Sequence, residues 1–495
     1  MPESTNERFA YGSVLEALSR GLYPDKRHVI REFVQNAYDG MYDLHNQYPS
    51  ETLHPIEVKV DPPSIFIGDH GIGMSEKKMQ EYRYLGYSEK KRGEHAGFRG
   101  IGKYSGLAIA EKIIVDSSRY GVATRLRVVV HVADMIREVE ERHNPPLEDL
   151  LQRFTTLSEF PEDKEAHYTF VELHKIRADS MAILHEGTIS DYLSKVAPVP
   201  LDPKFQHAHE IEENLRETAP DYFVVPLSVN KRDVYKPYLP DCRRPGFETV
   251  LFKDRSSEVL AFAWYCQNLK RGQFKDKENS GLVYRMKNIA VGDRHLTRKT
   301  LWATTPERAF HFFGEIHVLD PEVIPSADRT DFEDNAAREQ LYKRCIRISS
   351  VLNRKAGEES ATRRFKEALN NARDFLDQRE QQLEDHQLPI ELREEVVFRL
   401  RNYQEDINKR IPGSPSPLKS AGRKFLKRAQ KFLNRLQGPS TQFFDLKKEL
   451  RLNAKLQALY NIFMGVLKEE FRNDPDRLER IIRRVQDSLT IGHVD

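Results

Sequence analysis

Ile65-Phe-Ile-Gly-Asp69-His-Gly71-Ile-Gly73-Met74 reads as an apolar strand that delivers a carboxylate to its end and then turns through two glycines. Glycine lets backbone approach a ligand closely. A carboxylate at a strand end can accept a hydrogen bond from an exocyclic amine such as that of adenine. Upstream lies Glu32-Phe-Val-Gln-Asn36-Ala-Tyr-Asp39, where Val29, Ile30, Phe33 and Val34 recur at helical spacing. Residues four apart share a helix face, so Glu32 and Asn36 sit together and Asp39 lies one turn along. An acid that takes a proton from water, beside an amide oxygen that ligates a hard cation, suits a magnesium–phosphate site. Downstream, Gly97-Phe-Arg99-Gly100-Ile-Gly102-Lys103 follows a charged stretch from Tyr87 to His95. It opens an apolar segment, Leu107 to Ala110, read as a helix, and glycines at a helix N-terminus expose N–H groups to phosphate. The segment is close to a P-loop, but Tyr104 replaces the metal-binding hydroxyl and no strand precedes it. The P-loop and dinucleotide-fold readings therefore fail.

Taken in this order and spacing, the three motifs resemble the GHKL superfamily, which includes gyrase, the ninety-kilodalton heat-shock chaperones, histidine kinases and mismatch-repair MutL. The resemblance implies a Bergerat-fold nucleotide site for ATP and Mg²⁺. It makes Glu32 the general base and Asn36 the Mg²⁺ ligand, with Asp39 beside them. Asp69 would read the adenine amine, with Gly71, Gly73 and Met74 lining the base pocket. Gly86 to Arg99 would form the lid over ATP, while Gly97, Phe98, Arg99, Gly100, Ile101, Gly102 and Lys103 close on the phosphates. Thr169, in Tyr168-Thr-Phe-Val-Glu-Leu173, matches a threonine that binds adenine through water, although Tyr168 stands where the family has glycine. The acid at Glu32 implies hydrolysis, because histidine kinases generally lack it.

Within the superfamily, Leu18-Ser-Arg-Gly-Leu-Tyr23-Pro-Asp-Lys26 and Gly102 to Val115 are similar to the heat-shock chaperones. Gly97-Phe-Arg-Gly100 is more similar to MutL, and Leu85-Gly-Tyr-Ser88-Glu-Lys90 to MORC. Phe313 to Glu333 resembles the chaperone middle-domain loop whose arginine reaches the γ-phosphate, which implies that role for Arg329, with Arg285 a second candidate. The resemblance covers residues 6–335.

The order of elements predicts an α+β fold: a two-layer α/β sandwich, then an α/β transducer (middle) domain, then an α-helical C-terminal region. The expected domains are 1–195, 196–350 and 351–495. Strands are expected at Ile56–Val60, Ser64–Ile67, Ile113–Asp116, Ala123–Val132 and Thr169–Leu173. In the second module they fall at Tyr222–Val229, Thr249–Phe252, Gly281–Met286 and Glu315–Val318, with Ala197-Pro198-Val199-Pro200 as the linker. Phe365, Leu369, Ala372, Leu376 and Leu383 mark an amphipathic helix. Leu392, Val396, Leu400, Tyr403 and Ile407 mark another, and the two suit a hairpin or coiled coil.

The 495 residues contain 39% hydrophobic and 31% charged residues with net charge +2, so the whole chain has no polyanion bias and any such bias is local. No apolar run reaches membrane-spanning length, and the N-terminus has no secretory pattern. Cys242, Cys266 and Cys345 lack metal spacing and read as buried thiols of a reducing compartment, the cytoplasm. The expected function is an ATP-hydrolysing clamp, homodimeric and chaperone-like, with a protein client and no membrane partner. The rival is a nucleic-acid-acting clamp like MutL or MORC. It rests on residues 411–440, where Lys419, Arg423, Lys424, Lys427, Arg428, Lys431 and Arg435 occur without an acid and Phe425 and Phe432 interleave.

Overall fold

The computed structural model describes residues 25–84, 102–141, 145–219, 221–238, 241–253, 258–270, 272–439, 443–445, 447 and 453–491. The chain divides into two compact units, Met1–Asn353 and Arg354–Asp495. The first begins with α1 (Arg27–Gln47), followed by β1 (Ile56–Asp61), β2 (Ser64–Asp69), α2 (Glu76–Gln80), β3 (Ala110–Ser118) and β4 (Thr124–Val130). It continues through α3 (Val132–Glu141), α4 (Leu147–Phe154), β5 (Thr155–Pro161), β6 (Tyr168–Ile176) and α5 (Glu186–Val196). These strands, with β7 (Leu227–Val229) and β8 (Arg232–Asp233) from beyond α6 (Ala208–Thr218), form an eight-stranded sheet in the order β5-β4-β3-β6-β2-β1-β7-β8.

Alternation decides which face of that sheet is covered. Ile56, Val58 and Val60 of β1 point inward while the residues between them are exposed, as a half-buried strand requires. The inward face shares one core with Val29, Ile30, Phe33 and Val34 of α1, Met135 of α3, Leu150 and Leu151 of α4, and Ile189 and Leu193 of α5. Each such aliphatic side chain contributes about 1.5–3 kcal/mol by leaving water. Helices on one face of a mainly antiparallel sheet make the α+β two-layer sandwich expected from the sequence.

Two local expectations change. Leu107–Ala110 is not a helix: Gly102–Ala108 is a 3-10 turn, and Ala110 already begins β3. The long ladder that β3 forms with β6, from Ala110↔Ile176 to Ser118↔Tyr168, outweighs the helical preference of a short Ala-rich segment. Leu227–Val229, expected in the second module, instead runs parallel to β1, with Ile56 opposite Leu227 and Val58 opposite Val229.

The second sheet has the order β12-β11-β13-β10-β9. Its strands are β9 (Gly246–Leu251), β10 (Val259–Gln267), β11 (Gly281–Met286), β12 (Ile289–Val291) and β13 (Phe312–Val318), with α7 (Arg294–Leu301) between β12 and β13. The strand β11 runs parallel to β13. Phe262, Trp264, Cys266 and Phe313 build its core with Ile211 and Leu215 of α6. Then α8 (Ala336–Glu384) closes this unit and continues into the second. There α9 (Arg393–Arg410), α10 (Ser416–Leu436), α11 (Ala454–Glu470) and α12 (Pro475–Ile491) surround a core that includes Phe365, Leu369, Leu376, Leu400, Ile407, Phe425 and Phe432. The three cysteines are free and buried. Among the described residues, no helix is long and apolar enough to cross a membrane.

Candidate functional site

α1 is buried around most of its circumference, and it carries polar groups into the core. Glu32 and Asp39 are buried, and Asn36 is half-buried between them. Beside them the 3-10 turn begins at Gly102. A Cβ added there would stand 3.0 Å from Glu32 Oε2 and 3.9 Å from Asn36 Nδ2. The missing side chain at Gly102 therefore keeps backbone against the acid–amide pair, a cradle that a Cβ would fill.

At the end of β2, the Asp69 carboxylate is buried, and Oδ1 accepts a 2.9 Å hydrogen bond from Gly71 N–H. The following turn lies against α1, where Ile72 N–H donates to Gly40 O at 3.1 Å. Both glycines of the turn are needed, Gly71 against α1 and Gly73 against the end of β3. A Cβ on Gly71 would fall 2.4 Å from the Gly40 carbonyl carbon, and Gly73 has φ +74° with its Cβ direction 1.9 Å from Ser118 O. A side chain at Gly73 would meet both a clash and a left-handed backbone. Thr169 on β6 faces Asp69 across the ladder. Its Oγ1 lies 3.0 Å from Ser117 Oγ, which accepts from Met74 N–H at 2.8 Å and donates to Tyr168 O at 2.8 Å. Ser117 thus joins Met74 to Thr169, the residue opposite Asp69, and the sequence motifs do not contain it. Its only signal is its place on β3, where register sets Ser117 opposite Thr169.

Lys103, next to Gly102, reaches Glu81. Its ammonium lies 3.6 Å from Glu81 and over the rings of Tyr104 and Tyr82, and burial lowers its pKa to about 8. Gly97, Phe98, Arg99, Gly100 and Ile101, with the whole of the expected lid from Gly86 to Arg99, fall outside the described residues.

Arg329 sits in the loop between the bridged residues Pro325 and Phe332. It is buried with φ +54°, and its carbonyl accepts from Gly292 N–H at 2.7 Å. The neighbouring Asp328 carbonyl accepts from Arg31 Nη2 at 3.0 Å, and the same nitrogen donates to Glu32 Oε1 at 3.2 Å. One guanidinium therefore spans the acid on α1 and a loop almost 300 residues later in the chain. His28, one turn earlier, is pushed down to about 4 by burial and by the Arg31 charge. Arg285 belongs elsewhere. It is buried in the second sheet, paired with Glu315 and donating to Lys195 O and Ala197 O.

Among the described residues, no group of three or more His, Cys, Asp or Glu side chains could hold a metal. A single amide oxygen with a nearby acid still suits Mg²⁺, which commonly takes one or two protein oxygens and completes its shell with phosphate and water. The glycine at 102 keeps a side chain out of the space beside Asn36 and Glu32.

Residues 25–162 match the family model described as "Histidine kinase-, DNA gyrase B-, and HSP90-like ATPase". The chain is also similar to chaperone protein HtpG of several bacteria. It is 29% identical to that of Borreliella afzelii over 126 residues, which cover 21% of this chain and 20% of the relative. Against Albidiferax ferrireducens it is 28% identical over 131 residues, 22% and 20% of the two chains. Against Rickettsia typhi it is 30% identical over 132 residues, 22% and 21%. The matched stretch thus spans about a fifth of each relative.

Proposed function

From the premise that residues 25–162 are a domain of the histidine kinase-, DNA gyrase B- and HSP90-like ATPase family, we propose that this chain binds and hydrolyses ATP in a chaperone-like clamp cycle in the cytoplasm. The observation that carries the reading is the meeting of Asp69, Gly71, Met74, Thr169 and Ser117 at one strand end. It is joined through Gly40 to the helix that carries Asn36 and Glu32. Asp69 accepts from the adenine amine, and Thr169 and Ser117 supply hydroxyls for a bridging water. Asn36 holds Mg²⁺, with Asp39 supporting that end of the site. The ion, when bound, offsets phosphate charge.

Glu32 takes a proton from a water whose oxygen forms the new bond to the γ-phosphorus. The bond from that phosphorus to the β,γ-bridging oxygen breaks, and ADP leaves with its electron pair. Arg329 supplies positive charge to the γ-phosphate as the loop closes, where charge develops in the transition state. Lys103 exchanges Glu81 for a phosphate oxygen. ATP closure and homodimer formation expose and release a protein client.

Asp69→Asn tests the reading. The amide cannot accept from adenine in the same way, and a buried group left wrongly paired costs about 1–3 kcal/mol. ATP affinity measured by calorimetry is expected to fall at least tenfold, with GTP binding much less changed. Unaltered ATP affinity in a folded Asp69→Asn protein would remove Asp69 from the adenine site.

A second reading, a nucleic-acid-acting clamp, is favoured by α10. Arg423, Lys424, Lys427 and Lys431 are exposed on one side of it and pair with no acid among the described residues. By contrast, Arg428 pairs with Asp377 and Glu380, and Arg435 with Glu384. Phe425 and Phe432 are core residues rather than stacking platforms for bases. If this face grips a phosphate backbone, affinity for labelled duplex falls steeply with salt, by a slope of about −0.9 per phosphate contacted. Reversing those four cations to Glu is then expected to abolish duplex binding and leave ATP turnover unchanged. Weak, salt-insensitive binding by both proteins would sink this second reading.

A further inference from the structure

The helices that share the first core cover one face of the eight-stranded sheet. The other face carries aromatic and aliphatic side chains where a half-buried sheet presents polar ones. Register sets one outward row across it as Glu57, Gly68, Phe170, Asp116 and Arg127. The next row is Lys59, Phe66, Glu172 and Ile114. These rows line a groove of about 390 Å³, within the size range of ligand pockets. Gly68 shapes it. A Cβ there would fall 2.4 Å from the Phe170 ring, so the ring lies down over β2 with 41% of the residue still exposed. Elsewhere on this face, cations sit on the aromatic rings. Lys59 Nζ lies 5.5 Å from the Phe66 centroid and 2.6 Å from Asp61. The Cζ atoms of Arg125 and Arg127 lie 4.9 and 5.9 Å from the Phe160 centroid, and Arg127 bonds Asp116 through two nitrogens at 2.9 Å each. Phe170 differs. Its ring meets Tyr168 and His70, and among the described residues no cation lies over it. The acids that border it by register differ in the same way. Glu57 pairs with no cation among the described residues, and Glu172 meets the imidazole of His174 at 2.7 Å.

We propose that this groove docks an arginine side chain carried by an extended segment of another protein, with the guanidinium over Phe170 between Glu57 and Glu172. Charge and shape select that occupant. Lys59 and Arg127 are held by Asp61 and Asp116, which leaves Glu57 and Glu172 to face the groove. A planar guanidinium stacks on an aromatic ring and bonds a carboxylate through two nitrogens, which a lysine ammonium cannot do. Arg127, with Phe160 and Asp116, is an internal copy of that arrangement. Phe66 and Ile114, half-buried in the groove, suit apolar neighbours of the arginine. From β1 across β2 and β6 to β3 the groove spans three strand spacings, roughly 14 Å, the length of about four extended residues. That reach fits a segment of chain better than a single small cation. α1 packs on the other face of the sheet, so the inference is independent of the nucleotide reading.

Methyl NMR of the full chain with labelled isoleucines tests it, Ile114→Val identifying the Ile114 signal. Titration with an acetylated Leu-Arg-Leu amide is expected to move that signal saturably, with a dissociation constant on the order of 1 mM or lower. The same peptide with citrulline for arginine keeps the shape and loses the charge, and it is expected to bind at least about tenfold more weakly. Glu57→Gln/Glu172→Gln and Phe170→Leu should each weaken the arginine peptide by at least about fivefold. Circular dichroism and the isoleucine signals outside the groove should stay unchanged in both variants, since Glu57 and Phe170 are exposed and Glu172 is half-buried. No saturable shift up to about 10 mM arginine peptide would overturn the proposal. So would equal binding of the citrulline peptide, or full binding by Glu57→Gln/Glu172→Gln. Equal binding of spermidine would also overturn it, by making the groove a site for any small cation.

Discussion

Glu32→Gln is expected to bind ATP and to hydrolyse it about 10²–10⁴ times more slowly, the usual contribution of a positioned general base. The amide is chosen over alanine because Glu32 accepts from the Arg31 guanidinium in a buried setting. Gln keeps an acceptor for that donor, whereas Ala would strand a buried cation and mix a folding cost into the kinetics. Binding by calorimetry and turnover by phosphate release separate the two effects. Since the lost interaction is made in the transition state, kcat should fall with little change in nucleotide affinity. Turnover within a few-fold of wild type would take the proton-accepting role away from Glu32.

Glu315→Gln is expected to destabilise the first unit by about 3–5 kcal/mol, the range for removing one partner of a buried charge cluster. Glu315 is fully buried. It accepts from Lys236 Nζ at 2.9 Å, Trp264 Nε1 at 3.1 Å and His317 Nε2 at 3.0 Å, and it also contacts Arg285 and Tyr238. Without the carboxylate, Arg285 and Lys236 remain buried as uncompensated cations. The same cluster fastens the linker: Arg285 donates to Lys195 O and Ala197 O, and Asn288 donates to Pro198 O. Burial alone would raise the Glu315 pKa, but Arg285 and Lys236 hold it well below the usual carboxylate range. A carboxyl depressed in this way contributes stability that is complete above its unfolded value near pH 4 and is lost as pH falls through the folded value. Urea unfolding should therefore show acid sensitivity below about pH 4 that Glu315→Gln lacks. A variant within about 1 kcal/mol of wild type at neutral pH would show the cluster to be dispensable.

The candidate site is legible in the sequence wherever its residues are close neighbours in the chain. Glu32 and Asn36 are four apart on a helix, and Asp69, Gly71 and Gly73 follow a strand, so periodicity and turn chemistry locate them. Ser117 and Arg31 escaped because their meaning is made by pairing. A lone serine joins Thr169 only when β3 and β6 align in one register, and an arginine beside an acid gains its second partner from Asp328 across the fold. Phe425 and Phe432 were misleading in the opposite way. Their spacing among cations suits base stacking and helix packing equally, and only the presence of the helical core decides for packing. Leu107 to Ala110 shows the same limit, since four apolar residues carry too little periodicity to separate a helix from a strand start.

The placement of β7 bears on where this chain can be cut. The linker leaves the first sheet after α5, yet Leu227–Val229 returns to pair along β1. A fragment ended at residue 195 would hold Glu32, Asn36, Asp69 and Thr169, but it would bare the outer row of β1 amides and carbonyls. An uncapped row of that kind recruits strands from other molecules, so such a fragment would tend to clump however sound its pocket. A fragment carried through Asp233 keeps β1 covered. It ends instead in β8, a two-residue strand whose Arg232 and Asp233 are both exposed, and a short charged border discourages that growth.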